Sequence, residues 1–168
     1  KFAKLGGAKC TDIPIYHKNY RFEIEDVKEA INPNTKSIFL IDPINPLGST
    51  YPKEEKKAIC DLAEDHNFWI IDDITYRDFA PNHVLAADIL PEKTITGYSV
   101  SKNCGLAGLR VGSLVGPKDF ISEVRGTMVS DLGINVVGQR ASIAALETKK
   151  EWLPGMLETA RKNQEIIK

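Results

Sequence analysis

Asn45, Asp73, Tyr76, Lys102 and Arg110 place an amide, a carboxylate, a phenol, an amine and a guanidinium at spacings of 28, 3, 26 and 8 residues. A lysine amine that has lost its proton is a nucleophile toward carbonyl carbon and also a base. Burial and neighbouring cations lower its pKa toward that state. Arginine presents fixed, forked donors that suit a phosphate dianion. Ser99 and Ser101 stand just before Lys102 and add two hydroxyls. Taken singly, each segment also has an ordinary reading. Asn45-Pro46-Leu47-Gly48 is turn chemistry, the pair Asp72-Asp73 suits a solvated loop or a helix cap, Lys102 is an exposed lysine, and Arg110 is one arm of a surface ion pair. Their joint order is the informative feature, because each segment follows its own apolar run.

Those runs are the elements that must position the polar groups. Ser37–Ile41 (SIFLI), Phe68–Ile71 (FWII), Thr94–Tyr98 and Val111–Val115 have the length and content of buried strands. Ala8–Tyr16 reads as a further strand ahead of them, with polar interruptions. Phe22–Ala30 reads as an acidic helix that ends at the turn cluster Ile31–Thr35. Pro52–Asp65 reads as a helix with Pro52 at its start, Glu54 and Glu55 early, and Ala58, Ile59, Leu62 and Ala63 on one face. Helical patterns follow over Lys118–Met128, over Asn135–Glu147 and from about Trp152 onward. Alternation of strands and helices predicts an α/β fold with a largely parallel sheet. Ligands of such sheets bind beyond the carboxyl ends of the strands, which is where the polar segments fall.

The 168 residues suit one domain, since a chain of this size buries about two-thirds of its unfolded surface. The net charge of −1 argues against a nucleic-acid partner, which needs a basic excess. No apolar run approaches the roughly 18 residues of a membrane span. Three scattered cysteines, Cys10, Cys60 and Cys104, make neither a disulfide framework nor a zinc site, and no metal is expected. A cytoplasmic, reducing setting is the default. His17, His66 and His83 share no ligand spacing, and Cys104 reads as a small packed residue.

Asn45-Pro46-Leu47-Gly48, Asp73-Ile74-Thr75-Tyr76, Ser99-Val100-Ser101-Lys102 and Gly105-Leu106-Ala107-Gly108-Leu109-Arg110 together resemble the class I/II aminotransferases, fold-type I enzymes dependent on pyridoxal 5′-phosphate (PLP). The resemblance implies a three-layer α/β/α large domain with a mainly parallel sheet. It implies Lys102, Asp73 and Tyr76 as catalytic residues, with Lys102 forming a Schiff base to the cofactor aldehyde and Asp73 against the pyridine nitrogen. It implies Asn45, Asp73, Tyr76, Ser99, Ser101, Lys102 and Arg110 as cofactor-binding, with Ser99 and Arg110 on the phosphate. Asp72 is the rival for the nitrogen contact, and the family spacing of three to Tyr76 selects Asp73. Two positions depart from the family pattern: Leu47 stands where Thr is usual, and Asp42 where Asn is usual. The implied substrates are an amino acid and a 2-oxo acid, and the implied assembly is a homodimer. Residues 1–168 are expected to be part of the PLP-binding large domain, with the upstream phosphate-loop region and the small C-terminal domain lying outside them. Other fold-type I chemistry (a decarboxylase, lyase or synthase) and a non-catalytic ligand-binding domain of the same fold are the alternatives.

Overall fold

The computed structural model describes residues 2–16, 19–128 and 133–167. The short apolar runs become strands: β1 (Ser37–Ile41), β2 (Trp69–Asp73), β3 (Thr94–Ser99) and β4 (Gly112–Val115). They form one sheet in the order β1-β2-β3-β4. β1, β2 and β3 run parallel, with Ile41 opposite Asp73 and Asp73 opposite Gly97. β4 returns antiparallel to β3, with Ser99 opposite Gly112. The chain between β3 and β4 is residues 100–111, folded into turns with one 3-10 turn at Ala107–Leu109. A parallel return needs a crossover of a dozen residues or more, usually helical. A tight loop permits only the antiparallel return, and Lys102 and Arg110 both sit in that loop.

Six α-helices accompany the strands: α1 (Phe2–Leu5), α2 (Ile24–Ala30), α3 (Lys53–Asp65), α4 (Lys118–Thr127), α5 (Val136–Glu147) and α6 (Lys149–Ile167). α3 connects β1 to β2 and buries Ile59, Cys60, Leu62 and Ala63. Those positions form a single stripe at helical spacing. The stripe packs in one cluster with Leu40, Ile70, Val27 and Phe68. Burying each such aliphatic side chain is worth about 1.5–3 kcal/mol, so this cluster dominates the fold's stability. Phe22 stacks on Tyr51 with ring centroids 4.5 Å apart, closing the cluster's edge.

The β2–β3 connection, residues 74–93, contains no α-helix. Three 3-10 turns replace it, at Arg77–Phe79, Ala86–Asp88 and Pro91–Lys93, and Ala86 and Leu90 are buried in the same core. The other face of the sheet is covered more thinly. Side chains alternate along a strand, so Trp69, Ile71 and Asp73 share that face with Phe39 and Leu114. Phe120 of α4 packs its ring 4.8 Å from Trp69 at one end of it. Phe39 is 61% exposed and Leu114 51%. The fold is thus α/β, with helices on both sides of a mixed sheet.

Three sequence expectations are corrected. Val111–Val115, expected as a buried strand, forms β4 over Gly112–Val115 with every residue exposed, because it lies at the edge of the sheet with little packed over it. Residues 8–16 form no strand; they run as irregular chain, with only Ile13 and Ile15 leaning on the core. Pro14 lacks a ladder donor, and Asp12 and Thr11 favour local turns over pairing. The acidic helix begins at Ile24 rather than Phe22, because the Phe22 ring is drawn into the core and Glu23 is extended. Among the described residues, no helix is long and apolar enough to cross a membrane.

Candidate active site

Every predicted site residue lies at the carboxyl end of a parallel strand or in the loop that follows it. After β1 the chain turns through Asp42–Gly48, where the Asp42–Pro43 and Asn45–Pro46 bonds are cis and Gly48 has φ +75°. That φ favours glycine, which lacks the Cβ that penalises it. After β2 comes Ile74–Tyr76, and after β3 the loop that carries Lys102. Backbone bonds tie these ends together: the Asp42 N–H donates to the Asp73 carbonyl at 3.0 Å and the Ile74 N–H to the Gly97 carbonyl at 2.9 Å.

Asn45 and Tyr76 meet directly, with Asn45 Nδ2 donating to Tyr76 Oη at 3.3 Å. The Lys102 ammonium lies 6.0 Å from the centre of the Tyr76 ring. Three loops that are remote in sequence therefore bring an amide, a phenol and an amine together. Asn45 and Tyr76 line a cavity of about 650 Å³, bordered on its far side by Leu157, Arg161 and Gln164 of α6. Asp73 opens onto a shallower hollow on the exposed sheet face, beside Phe39, Gly97 and Leu114. Its Oδ1 accepts the Thr75 N–H at 3.0 Å and the Thr75 hydroxyl at 2.7 Å. That turn fixes the carboxylate's orientation and leaves Oδ2 without a protein donor among the described residues.

Ser99 and Ser101 hold each other, Oγ to Oγ, at 2.9 Å, and the Ser101 N–H donates to Ser99 Oγ at 3.1 Å. Arg110 sits in the left-handed region at φ 55°, with Nη1 donating to the Ala107 carbonyl at 2.9 Å. For a residue with a Cβ, that conformation costs of order 1–2 kcal/mol, and such strain gathers at ligand-binding turns. Lys102 and Arg110 are both exposed, and among the described residues neither makes an ion pair. A guanidinium fork and two serine hydroxyls, all carried by the segment from the end of β3 to the start of β4, are donors of the kind that suit a phosphate. With the amine, the free carboxylate oxygen and the phenol, the residues present match a phosphate-bearing aldehyde cofactor with a basic ring.

The rest of the polar chemistry lies behind the sheet. Lys56 of α3 is fully buried between Asp42 and Asp72, 3.4 Å from Asp72 Oδ2 and closer still to Asp42 Oδ2. His83 Nε2 approaches Asp42 Oδ2 at 3.1 Å. Burial pushes the Asp42 carboxyl up, but the His83 hydrogen bond and the Lys56 charge outweigh it and hold the pKa below its ordinary value. At Asp72 burial prevails over Lys56 and the Ala86 N–H, and the pKa is raised. Asp72 is fully buried, so it has no access to a ligand on the open face. Burial likewise raises the pKa of the Cys104 thiol, which disfavours its thiolate form. No cluster of His, Cys, Asp and Glu fit to hold a metal ion occurs among the described residues; His17 lies outside them.

The sequence pattern of the family described as aminotransferase class I and II matches residues 1–168. The chain belongs to that family. Among its relatives, the aspartate aminotransferase of Pyrococcus horikoshii is 35% identical over 156 residues, which is 89% of this chain and 40% of that protein. The arginine–pyruvate transaminase of Pseudomonas aeruginosa is 30% identical over 167 residues, 96% of this chain and 42% of that one. Among solved structures, a single mutant of the Thermus thermophilus aspartate aminotransferase superposes with a TM-score of 0.86 at 28% identity, over 95% of this chain and 42% of that chain. The chain thus spans about 40% of the length of the aminotransferases it matches.

Sequence reasoning did not find the buried polar residues behind this candidate site. Lys56 reads as one more polar residue in a lysine- and glutamate-rich helix, and His83 as an isolated imidazole. Asn103, beside Lys102, is 1% exposed and carries a hydrogen-bonded cluster. The one signal available in advance was Asp42, which stands where the family pattern has Asn.

Proposed function

We propose that these residues are the PLP-binding part of the large domain of an aminotransferase that moves an amino group from an amino acid to a 2-oxo acid. The observation that carries this reading is the meeting of Asn45, Tyr76 and Lys102 from three separate strand ends. When bound, the cofactor supplies an aldehyde carbon for the lysine and a ring that takes up the electron pair released at the substrate's Cα. Lys102 supplies the amine, which must be neutral to attack and afterwards to carry a proton to and from Cα. Asp73 offers Oδ2 to hold a proton on the ring nitrogen. Asn45 Nδ2 and Tyr76 Oη supply donors for a ring oxygen. Arg110 and Ser99, with Ser101 supporting Ser99, supply the phosphate donors. The reading extends to a homodimer in the cytoplasm: class I/II aminotransferases place each site at a dimer interface, and all three cysteines are free thiols.

The test is chemical trapping. PLP is added to the complete protein that carries these residues, the adduct is reduced with borohydride, and the peptides are analysed by mass spectrometry. The cofactor mass is expected on Lys102, and Lys102→Ala abolishes it. Cofactor mass on Lys93 or Lys118 instead would overturn the assignment.

A further inference from the structure

Lys102 reaches its place with little help from its own side chain. It is exposed, its ammonium has no carboxylate partner among the described residues, and the Tyr76 ring lies 6.0 Å away. The next residue is the opposite case. Asn103 is 1% exposed, and all of its amide is used. Its Nδ2 donates to Asp78 Oδ2 and to Tyr98 Oη, and its Oδ1 accepts the Cys104 N–H at 3.0 Å. Tyr98 Oη in turn donates to Asp78 Oδ2 at 3.4 Å. The other Asp78 oxygen takes the Lys149 ammonium at 2.6 Å, and that ammonium also lies 5.8 Å from the centre of the Tyr98 ring. Four segments converge here: the loop after β2 (Asp78), the end of β3 (Tyr98), the loop after it (Asn103) and the first residue of α6 (Lys149).

We infer that Asn103, anchored by Asp78, Tyr98 and Lys149, is the positioning residue for Lys102. The inference rests on the reading of Lys102 as the lysine that bonds the cofactor. A lysine nitrogen sits at the end of a flexible four-carbon stem, so small rotations at its Cα displace the nitrogen by more than the backbone itself moves. With no carboxylate on the nitrogen among the described residues, the backbone is the remaining constraint; the Lys102 carbonyl accepts the Gly105 N–H at 3.1 Å within the loop, and Asn103 ties that loop to the segments around it. Asp78 belongs to the connection that follows Asp73, the last residue of β2, and that also carries Tyr76. The same carboxylate therefore sets the distance between the amine's loop and the loop that faces the ring. A fully satisfied buried amide leaves this arrangement one geometry, since every alternative strands a donor or acceptor away from water.

The test compares two forms of the cofactor in the complete protein. PLP has the aldehyde that Lys102 can bond; pyridoxamine 5′-phosphate has the same ring and phosphate and cannot bond it. Asn103→Ala is expected to weaken PLP binding about tenfold while leaving the pyridoxamine form unchanged, as a coupling confined to the lysine requires. On a Lys102→Ala background the same substitution is expected to change neither affinity. Lys149→Met removes the anchor at a partly exposed position and is expected to act in the same direction with smaller size, with Lys149→Arg restoring the original preference. Equal losses for both forms would assign the cluster a general structural role and overturn the inference. An unchanged PLP affinity in both Asn103→Ala and Lys149→Met would overturn it as well. Failure of the unsubstituted protein to bind either form would sink the reading of Lys102 itself, and the inference with it.

Discussion

Asp72 and Asp73 are consecutive residues of β2, and they meet opposite surroundings. Asp72 points under α3, where Lys56 and the Ala86 N–H reach it and water does not. Asp73 points to the thinly covered face, turned by Thr75 and with one oxygen unclaimed. The same contrast extends over the sheet. Behind it, Lys56, Asp42, Asp72 and His83 neutralise one another inside a packed core. Beyond the strand ends, Lys102 and Arg110 are exposed and, among the described residues, make no ion pair. A buried charge needs its partners to be tolerated at all. A charge that is to take a ligand must be left without one. The sheet separates these two requirements one residue apart on the same strand.

Four substitutions would break or sharpen that contrast. The largest expected effect is Lys56→Met, which leaves two carboxylates buried without their cation. It is expected to cost about 3–5 kcal/mol, read as a lowered midpoint in urea or guanidinium unfolding. A midpoint equal to that of the parent would show that the cluster is solvated. Next is the pair Asp73→Asn and Asp72→Asn, compared in the complete enzyme. Asp73→Asn is expected to cost about 10²-fold in turnover, the size typical of a lost preorganised charge, with stability little changed. Asp72→Asn is expected to cost much less turnover. The reverse ranking would place the ring on the wrong side of the sheet.

The smallest effect is Asp42→Asn, which retains an oxygen acceptor for the Tyr51 N–H but loses the charge opposite Lys56. Near neutral pH it is expected to cost about 1–3 kcal/mol. The folded-state pKa of Asp42 lies below its ordinary value, so its contribution is full above the unfolded carboxylate pKa of roughly 4 and is lost as pH falls through the folded value. Unfolding curves of parent and variant are therefore expected to converge on acidification below that value. A gap that stays constant to low pH would place the stabilisation elsewhere. Asp72 is common to parent and variant: its raised pKa favours folding of both at low pH, an advantage that disappears as pH rises through the folded value.

Much of the frame was legible in advance because it is encoded locally. Ser37–Ile41 matches β1 residue for residue, and the Pro52–Asp65 pattern matches α3 to within one position. Apolar runs of strand length and an apolar stripe at helical spacing are properties of neighbouring residues; the stripe of α3 is buried as expected, whereas Phe39 and Leu114 in the runs stay exposed where the sheet is thinly covered. Ala8–Tyr16 failed because pairing is not local: isoleucines alternating with polar residues make a strand only where another strand offers its ladder. The position of the proposed site residues in the fold was legible for a different reason. Asn45, Asp73, Tyr76, Lys102 and Arg110 each follow an apolar run, and the end of a parallel strand is where an α/β sheet places ligands.

By itself, then, the sequence determined which segments become strands and helices, where the polar loops fall among them, and, through its motifs, the family. The tertiary structure decided which side of the sheet each charge occupies and who answers it. Whether Lys56 is a surface lysine or a buried one depends on Asp42 and Asp72, which lie 14 and 16 residues away in opposite directions along the chain. What Asn103 holds depends on Asp78, and Asp78 is answered from 71 residues away by Lys149. Periodicity registers only the near neighbours of a residue. Desolvation and pairing depend on contacts across the fold, and these exist only once the sheet has brought its strand ends together.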